Sequence, residues 1–119
     1  MPPIFGKLLL YLGTWRSVYM SVDLQFRALA NSRRLQILTW LKAPTEHFPP
    51  QVDGDLVKDG VCGLLIARKL RISQPTLSEH MKVLCLSGLV TSKRIKQWTF
   101  YKRSESGIRE LKRSIASDL

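Results

Sequence analysis

The stretch Ile72–Arg103, ISQPTLSEHMKVLCLSGLVTSKRIKQWTFYKR, decides the fold. Ser73 suits a helix cap, and Pro75 suits the first turn, where its missing N–H would have no partner anyway. Leu77, Met81, Val83 or Leu84, and Cys85 then recur on the inward side of a helix from Ser73 to Leu86. Gln74, Thr76, Ser78, Glu79 and Lys82 are left outward near its start, and Ser87-Gly88 ends it. Val90–Ile95 and Trp98–Arg103 alternate as two short strands about a turn at Lys96-Gln97. A capped amphipathic helix feeding a basic, aromatic ribbon is the order of parts of a winged helix-turn-helix, a head built to read DNA.

Charge supports that reading. Between Cys62 and Arg103 stand nine Lys/Arg residues (68, 69, 71, 82, 93, 94, 96, 102, 103) against one acid, Glu79. The whole chain carries a formal net charge of +10, the footprint of a surface that neutralises phosphates. In a major groove, Gln74 suits adenine and Glu79 suits cytosine, with Thr76, Ser78 and Lys82 beside them. Arg94, Lys96 and Gln97 at the ribbon tip suit phosphate or minor-groove contact. Trp98, Phe100 and Tyr101 are expected to pack the ribbon onto the helices, because an aromatic stripe is usually core.

Upstream, Val61–Leu70 has helical spacing, with Leu64, Leu65, Ala67 and Leu70 apolar, and Arg71-Ile72 forms the turn of a helix-turn-helix. A capped helix is predicted over Asp23–Ala30, then a break at Asn31-Ser32 that caps a second helix burying Leu35, Ile37, Leu38, Trp40 and Leu41. The connection APTEHFPPQVDGDLVKDG, residues 43–60, holds three of the six prolines and is predicted irregular. It collects Glu46, Asp53, Asp55 and Asp59, so it is expected to lie away from phosphates, at a sensing or partner surface. The tail SESGIRELKRSIASDL is predicted as a closing helix docked on the first through Ile108, Leu111 and Ile115.

Residues 1–20 repeat apolar side chains at three-and-four spacing from Ile4 to Tyr19 and fit an amino-terminal dimerisation helix, followed by one DNA-binding domain over 21–119. Met20, directly before Ser21-Val22-Asp23, is an alternative start. Gly13, Thr14 and Arg16 interrupt the apolar run, which falls well short of the ~20 residues of a membrane span. A cytoplasmic protein without membrane contact is expected, since two cysteines make no secreted disulfide framework. No catalytic triad, phosphate loop or paired-carboxylate cleft is recognisable, so no enzyme and no cofactor are expected.

The segments FRALANSRRLQILTWL, SQPTLSEHMKVLCLSGLV and KRIKQWTFYKR resemble the ArsR/SmtB family of small bacterial winged-helix repressors over roughly Asp23–Arg103. The resemblance implies a mainly α (α+β) fold with a two-stranded wing, a homodimer paired through its first and last helices, and a dyad-symmetric operator released on a signal. Many relatives sense metal through a Cys-x-Cys pair ahead of the recognition helix. Here Cys62 matches the first cysteine but Leu64 replaces the second. The family's second metal site, on the last helix, lacks histidine, and His47 and His80 fall elsewhere, so no metal site is expected.

Cys62 remains a candidate redox sensor, if basic neighbours or a helix start stabilise its thiolate, or else a small half-buried apolar group, as Cys85 is expected to be. A site combining Cys62 with Glu46, His47, Asp53, Asp55 and Asp59 is a further alternative. Glu79 stands where many relatives carry a basic or imidazole side chain, and Lys96 replaces their turn glycine, so operator preference does not transfer. The function expected is a sequence-specific transcriptional regulator of double-stranded DNA, a repressor answering an unidentified inducer. The rivals are a sequence-indifferent nucleic-acid packaging protein and a protein-interaction module.

Overall fold

The computed structural model describes residues 22–119; the expected amino-terminal dimerisation helix of residues 1–20 lies outside them. Helix α1 covers residues 22–29, leaving Ala30 between its end and Asn31. Asn31 is extended, and its side chain accepts the Arg34 N–H at 3.2 Å to cap α2 (Ser32–Lys42). Ile37, Leu38 and Leu41 of α2 are buried as predicted, Trp40 is half-buried, and Leu35 is 46% exposed. Leu35 lies two residues before Ile37, which on a helix turns it out of the stripe that the other three define.

The expected irregular connection opens with one helical turn, α3 (Pro44–His47), made possible by a proline whose missing N–H has no partner there. Phe48 then drops into the core, edge-on to Trp40 with ring centroids 6.0 Å apart. The Lys69 ammonium lies 5.1 Å from the Trp40 ring and 5.7 Å from Phe48, a cation held over both faces.

Val61–Cys62, predicted as helix, is instead a short strand, β1, antiparallel to the later strand that carries Phe100 and Tyr101. Two β-favouring residues following Gly60 find a free strand edge, which a sequence period cannot reveal. Gly60 holds φ +107, and a Cβ there would stand 2.5 Å from the Tyr101 carbonyl oxygen. Only glycine lets the chain approach so closely.

Helix α4 (Gly63–Leu70) buries Ile66 and Ala67, leaving Leu64, Leu65 and Leu70 half-buried. Arg71 ends it in the left-handed region at φ 58, and Ile72 N–H bonds the Ala67 carbonyl at 3.1 Å. Helix α5 (Gln74–Leu86) starts on Ser73, whose Oγ accepts the Thr76 N–H at 3.3 Å, with Pro75 in its first turn. It buries Leu77, Met81 and Leu84; Val83 and Cys85 are half-buried.

Strands β2 (Val90–Ile95) and β3 (Trp98–Arg103) match the predicted hairpin, in register from Val90 opposite Arg103 to Ile95 opposite Trp98. Because β1 adds to β3, the sheet has three strands in the order β1-β3-β2 rather than the expected two. Helix α6 (Glu105–Asp118) is capped by Ser104, which accepts the Gly107 N–H at 3.1 Å. It buries Ile108, Leu111 and Ser114, whereas Ile115, expected inward, is 44% exposed. Residues of α2, α4, α5, Leu89, Val90 and α6 form one core under the sheet. The elements are thus those of a winged helix-turn-helix, with α4, the Arg71 turn and α5 as the helical pair and β2–β3 as the wing.

Candidate nucleic-acid interface

The face of α5 opposite its core stripe is exposed at Gln74, Thr76, Ser78, Glu79 and Lys82, the five positions singled out in the sequence. A polar cleft of about 150 Å³ brings Gln74 and Ser78 together with Gln97 of the wing turn, against Trp98, Thr99 and Tyr101. Glu79 and Lys82 lie outside that cleft, further along the helix. Thr76 is partly committed to the cap, its hydroxyl accepting from Ser73 Oγ at 2.9 Å. The start of α5 and the wing turn therefore form one continuous edge carrying donors and acceptors.

Position and orientation of α5 depend on an arginine that sequence reasoning passed over. Arg34 donates from Nε to the Ala28 carbonyl at 2.9 Å and from Nη2 to the Arg27 carbonyl at 2.8 Å, closing the end of α1. Its Nη1 lies 3.2 Å from His80 Nδ1 on α5. A guanidinium has only donors, so this nitrogen accepts and the ring is neutral. Burial, then the charges of Arg34 and Arg33, hold the His80 imidazole below its ordinary range. His80 is thus a packing and positioning residue on the inner side of α5.

The wing is basic at Lys93, Arg94, Lys96 and Lys102, all exposed. Two of these lysines are already engaged: Lys96 Nζ is 2.9 Å from Asp53 Oδ1, and Lys93 Nζ is 2.6 Å from Asp59 Oδ1. The Lys93 hydrogen bond, followed by that of the Asp55 backbone, holds the Asp59 carboxyl below the usual carboxylate range. The acidic connection, expected to lie away from phosphates, lies against the wing and pairs with its lysines. Asp55 meanwhile accepts the Val57 and Lys58 N–H groups at 3.3 Å, fixing the turn that presents Asp59. The charge contrast between 53–59 and 93–96 was legible; the pairing depends on β1 joining β3, which was not.

Cys62 and Cys85 are free and half-buried. The Cys62 N–H donates to Gln51 Oε1 at 3.1 Å, and burial pushes the Cys85 thiol up, which suits an apolar packing role. Asp53, Asp55 and Asp59 serve lysines and a turn, and among the described residues no three His, Cys, Asp or Glu side chains converge as metal ligands.

A winged helix-turn-helix with an exposed polar recognition helix and a basic wing defines a class of DNA-binding regulators. The profile of the bacterial regulatory protein, arsR family, matches residues 62–92. The uncharacterised HTH-type transcriptional regulator YbzH of Bacillus subtilis (strain 168) is 44% identical over 86 residues, 72% of this chain and 86% of that protein. An ArsR-like transcriptional regulator from Rhodococcus sp. RHA1 superposes with a TM-score of 0.61 at 21% identity, over 84% of this chain and 80% of that one. The homodimeric winged helix-turn-helix DNA-binding domain Mb0332 from Mycobacterium bovis gives 0.57 at 24% identity, over 89% of this chain and 83% of that one.

The chain belongs to the ArsR family, and it is a DNA-binding transcriptional regulator rather than an enzyme. Among the described residues no helix is long and apolar enough to cross a membrane.

Proposed function

We propose that the protein is a cytoplasmic repressor that binds a dyad-symmetric operator as a homodimer, with α5 in the major groove and the β2–β3 turn on the phosphate backbone. The observation that carries this reading is the single edge made by Gln74, Ser78 and Gln97, backed by the buried Leu77, Met81 and Leu84 on the inner face of α5. Gln74 and Glu79 read base edges, Thr76, Ser78 and Lys82 support them, and Arg94, Lys96 and Gln97 hold the backbone. Pairing through the first and last helices is supported by apolar side chains left in water, Phe26 at 39% and Ile115 at 44% exposure, and by the homodimeric Mycobacterium bovis relative.

Selection of bound duplexes from a random library at near-physiological salt tests the reading. A palindromic consensus bound at least ~10³-fold more tightly than its scrambled control is the expected result. Equal affinity for every duplex, falling uniformly with salt, would replace it with sequence-indifferent packaging.

A further inference from the structure

We infer that the cleft between the 50–53 segment, the start of α4 and the wing binds a neutral, aromatic-containing small molecule, and that occupancy weakens the wing's hold on DNA. The binding half stands on the cleft alone; the effect on DNA rests on the proposed role of the wing.

The cleft encloses about 390 Å³, within the range of small-molecule sites. Phe100, only 1% exposed, and half-buried Leu64, Leu65 and Trp98 line it, and Val52 stands at its edge with its side chain wholly in water. Its amide and carboxylate groups already have partners. Gln51 Oε1 accepts from Cys62 N–H at 3.1 Å, and Gln51 Nε2 donates to the Gly60 carbonyl at 2.7 Å. Asp53 Oδ1 accepts from Lys96 Nζ at 2.9 Å. A charged ligand would therefore lose its hydration without compensation. A neutral ring would instead bury the exposed apolar surface of Val52 and stack or tilt against half-buried Trp98.

The same segment that walls the cleft carries Asp53, and Asp53 holds Lys96 at the wing turn. A ligand bridging Val52 to Trp98 fastens this segment to the wing and keeps Lys96 paired. A phosphate needs Lys96 released. Ligand and DNA therefore oppose one another, and each must lower the other's affinity by the same factor.

The test titrates the full chain with N-phenyl-1-naphthylamine, a neutral three-ring aromatic fluorophore that brightens in apolar surroundings. Saturable binding is expected, weakened about tenfold or more by Val52→Asp and by Leu64→Glu, each of which places a charge in the cleft. Val52 is fully exposed, so its replacement leaves the fold intact even if Leu64→Glu does not. Leu86→Asp, in a separate apolar cleft between α1 and α5, should leave the probe bound. Absence of saturable binding, or loss in Leu86→Asp but not Val52→Asp, overturns the site.

With the selected duplex, saturating probe should weaken DNA binding, and duplex should weaken probe binding equally. Asp53→Asn should retain the probe and lose this coupling. Unchanged duplex affinity at saturating probe overturns the effector assignment, whereas the duplex selection without probe decides the DNA-reading proposal by itself.

Discussion

Asp53→Asn removes the carboxylate that holds Lys96 while keeping the shape of the side chain. In the free protein the pair is 2.9 Å long, with Lys96 67% and Asp53 26% exposed. An ion pair that open to water contributes ~0.2–1 kcal/mol, and DNA must disrupt it to draw Lys96 onto a phosphate. Two protomers on one operator double the effect to ~0.4–2 kcal/mol, so the variant should bind about 2- to 30-fold more tightly. Fluorescence anisotropy of the selected duplex reads this gain. In a Lys96→Ala background Asp53→Asn should change nothing. Unchanged or weaker affinity for Asp53→Asn alone would refute the idea that the connection competes with DNA for the wing.

Gln74→Ala and Glu79→Ala should each relax base preference at particular operator positions by ~1–3 kcal/mol, seen by repeating the duplex selection with each variant. Ser73→Ala strips the α5 cap and should lower unfolding free energy by ~1 kcal/mol in urea titration, with DNA affinity falling as the start of the helix frays. Ile115→Asp should shift the sedimentation profile toward monomer if α6 forms the dimer face, and an unchanged dimer would count against that face. His80 has a folded pKa below its unfolded value, so the unfolded state takes up its proton first. Its contribution is present above about pH 6.5 and is lost as pH falls; melting temperature should therefore decline less between pH 7 and 5 in His80→Asn, which keeps an acceptor for Arg34.

Local signals were sufficient where one element determined its own form. The Ser73 cap with Pro75, the strict alternation of 90–95 and 98–103, and the Asn31 break each reappear at the expected residues. Errors arose where a distant partner decided. Val61–Cys62 has the spacing of a helix start but gains more by pairing with β3, and Ile115, although in line with Ile108 and Leu111 on α6, is left exposed near the end of the helix. For the recognition edge, exposure of the five α5 positions followed from helical period alone. The approach of Gln97 to Gln74 and Ser78 needed the wing folded back beside the helix.

The acidic connection shows most clearly how the fold changes the meaning of a sequence. By composition it repels phosphate and belongs elsewhere; in three dimensions Gly60 lets the chain press against the Tyr101 carbonyl, and β1 then adds to the edge of the wing. That single strand pairing carries Asp59 to Lys93 and Asp53 to Lys96. The wing's net charge is thus set by a segment more than thirty residues upstream. In a family often read through paired cysteines, the Cys62 position here has no second thiolate and instead walls an apolar cleft. On the proposed reading of the wing, whatever tightens or loosens the 50–59 segment changes how many wing cations are free for phosphate, and DNA affinity should follow through counterion release.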